Sequence, residues 1–461
     1  MRSYEFNPLF LILYQVFYGL IWAFKALLES FNKRAYLISQ ESKVKEMALM
    51  LGHLMTIEQD LKRPVGALIL ISLCLIGALS TWFSATVVLP EISTHGQLGK
   101  SQEVWLTNGV QLGFVIGALL LAFFNLSDSM SLTVLIALSC TLAALANLLL
   151  LWTHTSFGII ALRFITGAAL SGVYPPAVKL IATWFQKGRG IAMGTIIGAL
   201  TIGSATPHLL RAMAAETDWI LVIWASSLAT FIAGLIFLFY ISEGPFAFAR
   251  ARFNPLQIIQ VLRNKPLTLV NIGYVGHMWE LYAMWAWILT FTQFSAQSFE
   301  VFPFGTPEYF SFVIVSVGAV SCILAGRFSD IYGRCYTTAA LMIASGCCAF
   351  SIGFLIDTSP LLFTGVALIW GMTIIADSGQ FSTAVTELSE PHLVGTAVTF
   401  QMALGFGVTV IAIWFVPVAA EWLGSMQWAF LFLAPGPFIG AIAMLILRRQ
   451  PEAEKLALGR R

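Results

Sequence analysis

Runs of about 20 apolar residues, nearly free of charge, recur along most of this chain, and each is long enough to cross a lipid bilayer as a helix. They fall near 65–89, 104–124, 131–153, 156–180, 190–213 and 219–241, and again near 267–293, 309–325, 336–356, 361–387, 394–419 and 427–447. A backbone in hydrocarbon must satisfy its own N–H and C=O groups, which leaves helices or a closed barrel, and runs of this length select helices. Composition agrees: 58% of the 461 residues are hydrophobic and only 10% are charged, against roughly 25% charged in a soluble domain. Lipid is therefore the solvent for most of the chain. The sequence predicts an all-α polytopic membrane protein of about twelve transmembrane helices in two six-helix pseudo-repeats, with an extra N-terminal helical segment.

The charge pattern divides and orients this array. The segment 243–265 carries Arg250, Arg252, Arg263 and Lys265 and reads as a linker between halves at 65–242 and 266–448, followed by a tail at 449–461. With the residues before span 1 cytoplasmic, Lys62, Arg63, Lys187, Arg189, Arg327, Arg334, Arg448, Arg449, Lys455, Arg460 and Arg461 join the linker bases on the cytoplasmic side. The opposite loops hold only Lys100 and Arg211. This bias predicts a plasma-membrane or inner-membrane protein with both ends of its twelve-helix core in the cytoplasm. Residues 1–64 form an extension whose run Leu9 to Phe24 suits an interfacial helix or an extra span, and a true start at Met47, Met50 or Met55 is a third reading. The run lacks a substantial basic leader and a small-residue cleavage site, so it does not read as a signal peptide.

The halves echo each other. A shift of 202 residues lays Leu126-Ser127-Asp128 on Phe328-Ser329-Asp330, and a shift of 205 lays Gly190 on Gly395, Ala192 on Ala397 and Trp82 on Trp287. A parallel repeat of this kind is a transporter architecture in which two halves rock about a central site.

Ionisable residues deep in lipid are costly and mark function by default. Spans 1, 2, 3, 6, 8, 9, 11 and 12 have none; Arg163 lies in span 4, Glu280 in span 7 and Asp377 in span 10. His277 lies three residues before Glu280, on the same helical face. Glu280 and Asp377 are candidates for proton coupling or substrate binding, because burial raises a carboxylate pKa and a nearby arginine lowers it. Arg163 could hold an anionic substrate or neutralise an acid. A fixed pair that locks helices, with His277 as the partner of Glu280, is the structural alternative. Asn108, Gln111, Gln380 and Gln401 are the neutral polar candidates for the cavity, while Trp82, Tyr274, Trp279, Tyr282, Trp285 and Trp287 serve either cavity or interface. Glu387, Lys179 and His208 fall near helix ends, where solvation suffices.

Several classes of function find no support. The six cysteines form no CxxC pair, and His277-x-x-Glu280 lacks the further ligands a metal needs. No GxxxxGK(S/T) loop for ATP, no GxSxG and no paired surface carboxylates occur, so no enzyme activity, cofactor or nucleic acid is expected.

"GRFSDIYGR", residues 326 to 334, interrupts the apolar pattern with three charges. It resembles the loop signature of the major facilitator superfamily, G-x-(L/F)-(S/A/G)-D-(R/K)-x-G-(R/K), at Gly326, Phe328, Ser329, Asp330, Gly333 and Arg334, and departs from it at Ile331. The N-terminal copy keeps Ser127 and Asp128. Arg163-x3-Gly167 and Gly188-Arg189-Gly190 are similar to that family's span 4 and the start of its span 5. The resemblance implies that Asp330 caps a neighbouring helix end, that basic residues pair across an inner gate, and that spans 1, 4, 7 and 10 line the cavity. The weaker N-terminal copy implies weaker pairing there. "GHMWELYAMWAW" and "ADSGQFSTAVTELSEP" are similar to a bacterial branch grouped with nitrate/nitrite and cyanate permeases, although spans 2 and 8 lack that branch's arginines. "GALTIGSATP" in span 5 departs from the family's antiporter pattern.

The expected function is thus secondary active transport of a small organic solute, proton-coupled and possibly of a carboxylate, by a monomer in the bilayer. An inorganic-anion permease, an efflux pump and a transporter-like sensor are the alternatives.

Overall fold

A computed structural model describes residues 64–185, 189–214, 218–246 and 254–460. The N-terminal run expected to lie on or cross the membrane, and part of the linker, fall outside these residues. Among the described residues there are helices and turns and no strand. Among the described residues, ten helices are long and apolar enough to cross a membrane. Two further elements complete the twelve. Pro64–Leu79 is apolar but has only 16 residues. Lys265–Ala296 has 32 residues, among them His277 and Glu280.

The spans are Pro64–Leu79 with its extension Leu89–Gly96 (span 1), Lys100–Phe123 (2), Leu132–Trp152 (3), Ser156–Ala182 (4), Gly190–Met213 (5) and Trp219–Phe239 (6). The second half has Lys265–Ala296 (7), Pro307–Tyr332 (8), Arg334–Leu355 (9), Pro360–Leu388 (10), Val394–Trp422 (11) and Met426–Arg448 (12). Polar residues start several of them: the side chains of Thr155, Asp218, Asn264 and Thr306 each accept a hydrogen bond from a first-turn N–H.

The packing repeats with the sequence. Span 2 packs on span 4 and span 3 on span 6, just as span 8 packs on span 10 and span 9 on span 12. Span 1 contacts spans 5 and 6 as span 7 contacts spans 11 and 12. Two seams join the halves, span 5 against span 8 and span 2 against span 11, and the pseudo-symmetry exchanges one seam for the other.

In lipid, apolar side chains gain nothing by leaving the solvent, so close approach of backbones carries the association. Spans 2 and 4 show how. A Cβ on Gly113 would run into the Phe164 carbonyl, and one on Gly167 into the Val110 carbonyl. The glycine four residues after Arg163 is therefore a packing residue.

Several spans are interrupted part-way along, span 8 among them at Val317. Span 1 is non-helical at residues 80–88, span 4 turns at 171–173, and span 10 breaks at Asp377. The GRFSDIYGR segment differs from the loop expected of it. Span 8 stays helical through Tyr332, and the reversal is made at Gly333 with φ 91° and ψ 151°. Phe328, Ile331 and Tyr332 are exposed on this last part of the span. Only the φ > 0 glycine is needed for the turn.

Candidate functional site

Arg163 is fully buried within the N-terminal half. Its Nε donates to the Leu106 carbonyl at 2.9 Å and its Nη1 to the Thr81 carbonyl at 3.0 Å and to Asn147 Oδ1 at 3.1 Å. Its Nη2 donates to the Trp82 carbonyl. The acceptors explain the break in span 1: residues 80–88 leave the helix, and the guanidinium takes up carbonyls that the helical ladder no longer uses. Asn147 is held in turn by Ser84 and Ser227. No carboxylate takes part, so the arginine serves spans 1, 2, 3 and 4 as a clasp.

Glu280 performs the corresponding task in the second half. Its Oε1 accepts from Trp370 Nε1 at 2.7 Å and its Oε2 from the Ser345 hydroxyl at 2.8 Å, joining spans 7, 10 and 9. His277 is not its partner. His277 Nδ1 lies 2.9 Å from Asp377 Oδ1 across spans 7 and 10. The contact is close but is not an aligned hydrogen bond, since Asp377 Oδ1 has no hydrogen-bond partner; His277 Nε2 on the far side of the ring has none either. Tyr274 and Phe381 flank the imidazole, with centroids 6.0 and 5.5 Å away. Two of the ionisable candidates thus meet, at the break of span 10, while Arg163 and Glu280 are held elsewhere.

At the basic ends of the spans, the loop charges pair within each half. Arg334 grips Glu387 through Nε and Nη2, both at 2.7 Å, and reaches Gln380 Oε1 at 3.0 Å. Gln380 therefore belongs to this cluster. Asp330 lies 3.6 Å from Arg334, is largely exposed, and sits beside Gly190 at the start of span 5. Arg460 donates to its carbonyl. In the first half the polarity is inverted: the acid Asp128 is in the loop, and the base Lys179 on span 4 pairs with it. The N-terminal copy of the motif is paired as well. Lys179 and Glu387 were expected merely to be solvated, and both are instead committed to ion pairs. His208 also departs from expectation, being 2% exposed with Nδ1 unpartnered.

The neutral candidates divide differently. Asn108 Nδ2 donates to the Val410 carbonyl at 3.0 Å, across the seam between spans 2 and 11. Gln111 and Gln401 are buried with neither amide atom partnered. Between the halves, Trp82, Phe83 and Phe114 meet Tyr282, Trp285 and Phe406, with centroid separations of 4.3 to 6.3 Å. Trp279 and Trp287 are packing residues, each donating its Nε1 to a carbonyl. Sequence reasoning missed Trp370, Ser345 and Asn147, which are neutral and carry no signal apart from their place in apolar runs. No group of three potential metal ligands occurs among the described residues. A cavity of about 310 Å³ lined by Asn271, Ile272, Trp279, Phe400, Leu404 and Ile439 lies on the flank of spans 7, 11 and 12, away from the seam.

The fold has solved counterparts. A bacterial homologue of the human lysosomal transporter Spinster, in its inward-facing unoccupied conformation, superposes with a TM-score of 0.59 at 14% identity, covering 84% of this chain and 99% of that one. The inward-facing occupied conformation gives 0.63 at 13% identity, covering 84% and 97%. At such identities the likeness is one of fold. No curated protein matches in sequence. The sequence profile of the Major Facilitator Superfamily, however, matches residues 70–413, well over half of the chain. The chain is a multi-pass membrane protein that belongs to the Major Facilitator Superfamily of transporters.

Proposed function

We propose that the protein is a secondary active transporter that moves a small organic solute by alternating access and couples it to protons at His277 and Asp377. The observation that carries this reading is the contact between these two side chains, 2.9 Å apart, buried, and placed where span 10 breaks. A pair of titratable groups in lipid can lose or gain a proton as its surroundings change, and a broken helix lets those surroundings change. The imidazole keeps one nitrogen free for a second partner. Glu280 is a positioning residue in this scheme, since both its oxygens are held by neutral donors of its own half. The carboxylate reading has no comparable support, because the Arg163 donors already have acceptors. The basic ends of the spans face the cytoplasm, the host membrane is the plasma or inner membrane, and one chain forms the working unit.

The test is solute-driven proton movement in proteoliposomes carrying a trapped pH dye, screened over neutral, anionic and cationic organic solutes. Wild type and Glu280→Gln are expected to show it, and Asp377→Asn is expected to bind the same solute without moving protons. Proton movement that survives in Asp377→Asn and disappears in Glu280→Gln would overturn the assignment.

A further inference from the structure

We infer that the seam between the halves holds a binding site for an uncharged, flat or apolar organic solute that bears hydrogen-bonding groups. This names the substrate class of the transporter reading above and rests on it. Three rings come from each half: Trp82, Phe83 and Phe114 from spans 1 and 2, and Tyr282, Trp285 and Phe406 from spans 7 and 11. Every one is buried. They stack on each other across the surface that must part when the halves rock, so separation exposes two facing sets of aromatic faces.

The polar atoms at this seam distinguish a binding surface from a packing core. The indoles of Trp184, Trp279, Trp287 and Trp370 all donate hydrogen bonds. Trp82 and Trp285 are equally buried, and their Nε1 atoms have no partner. Gln111 lies one turn from both Asn108 and Phe114 on the face that meets span 11, and both ends of its amide are unpartnered. The Asn108 Oδ1 is unpartnered too. A buried donor or acceptor left unpaired is costly, and four side chains with such atoms on one seam are explained by a ligand that pairs with them.

Charge settles the class. Arg163, Glu280 and Asp377, the deep ionisable groups, are taken up by partners within their own halves, Arg163 by backbone carbonyls that include that of Trp82. Among the described residues, the cation–π contact that occurs is Arg448 on Tyr336, remote from the cage. A charged solute would enter without a counter-charge and lose its hydration, whereas a neutral one matches amides and indole N–H groups.

Three probes with one ring system test this: 1-naphthaleneacetamide (neutral), 1-naphthaleneacetate (anion) and 1-naphthylmethyl-trimethylammonium (cation). Their binding to the purified full chain is measured by equilibrium dialysis. The amide is expected to bind about tenfold more tightly than either ion, and Gln111→Leu and Trp285→Phe are each expected to weaken it about tenfold. Both variants should melt within a few degrees of wild type, because neither polar group has a partner to lose. Tighter binding of either ion, no binding of any probe, or amide binding unchanged in both variants would overturn the inference. The proton assay separates the two readings. Amide binding without proton movement leaves this site standing and removes the coupling scheme; proton-coupled transport of an ion that is indifferent to both variants does the reverse.

Discussion

Replacing Arg163 by leucine should destabilise the N-terminal half. The guanidinium satisfies the carbonyls of Leu106, Thr81 and Trp82. The Thr81 carbonyl and Asn147 Oδ1 are left to share the single proton of the Ser84 hydroxyl, 3.1 and 2.7 Å away. Trp82 has no other donor among the described residues, so its carbonyl is left bare in a stretch that has left the helix. Assigning about 2 kcal/mol to that carbonyl and about 1 kcal/mol to each of the other two gives a loss of about 4 kcal/mol. With an unfolding entropy of about 2 cal/mol/K per residue over a chain of this size, the melting temperature falls by about 4 °C. Arg163→Lys, whose ammonium reaches fewer of these acceptors, should lose about half as much. The assay is thermal unfolding of the detergent-purified protein, followed by intrinsic fluorescence. A leucine variant that melts within about 1 °C of wild type, or melts above the lysine variant, would refute the clasp and return Arg163 to the list of substrate anchors.

Glu387→Gln should cost about 2 kcal/mol, read as a lowered melting temperature, because it strips the charge from a bidentate pair whose arginine is mostly buried. The exchanged double variant, Arg334→Glu with Glu387→Arg, should be more stable than the two single effects added together; simple additivity would mean that the pair contributes no coupling.

The spans were legible because their cause is local: each needs only length and the absence of charge. The seven-residue helical continuation of span 8 from Gly326 to Tyr332 was not, since three charges looked like a loop, while the structure lets Arg327 and Asp330 reach the surface from helical positions. The ionisable candidates were legible one by one as expensive groups. Their partners were not. Glu280 takes Ser345 and Trp370, 65 and 90 residues away, and nothing in a serine or tryptophan within an apolar run announces that it will receive a carboxylate. Arg163 takes backbone carbonyls, which have no identity in a sequence at all, and which are free only because span 1 breaks beside it. The seam's rings were visible as an excess of aromatics. That Trp82 and Trp285 differ from Trp279 and Trp287 follows from which indole finds a carbonyl across the bundle, and only three dimensions decide that.

The placement of charge has a consequence for how the halves part. The Arg163 network lies wholly within spans 1 to 4, and the Glu280 and His277–Asp377 contacts lie within spans 7, 9 and 10. The paired loops repeat this, with Lys179–Asp128 in one half and Arg334–Glu387 in the other, the acid and base exchanging places between loop and helix. Lys179–Asp128, Arg211–Glu91, His277–Asp377 and Arg334–Glu387 each lie within one half. Breaking a buried pair costs about 3–5 kcal/mol because it strands a charge. Parting stacked rings and the neutral Asn108–Val410 hydrogen bond strands none. Strong electrostatic bonds thus brace each half from within, while the stacked rings and the Asn108–Val410 hydrogen bond are weak, neutral contacts that a bound solute can replace on either side of the cycle.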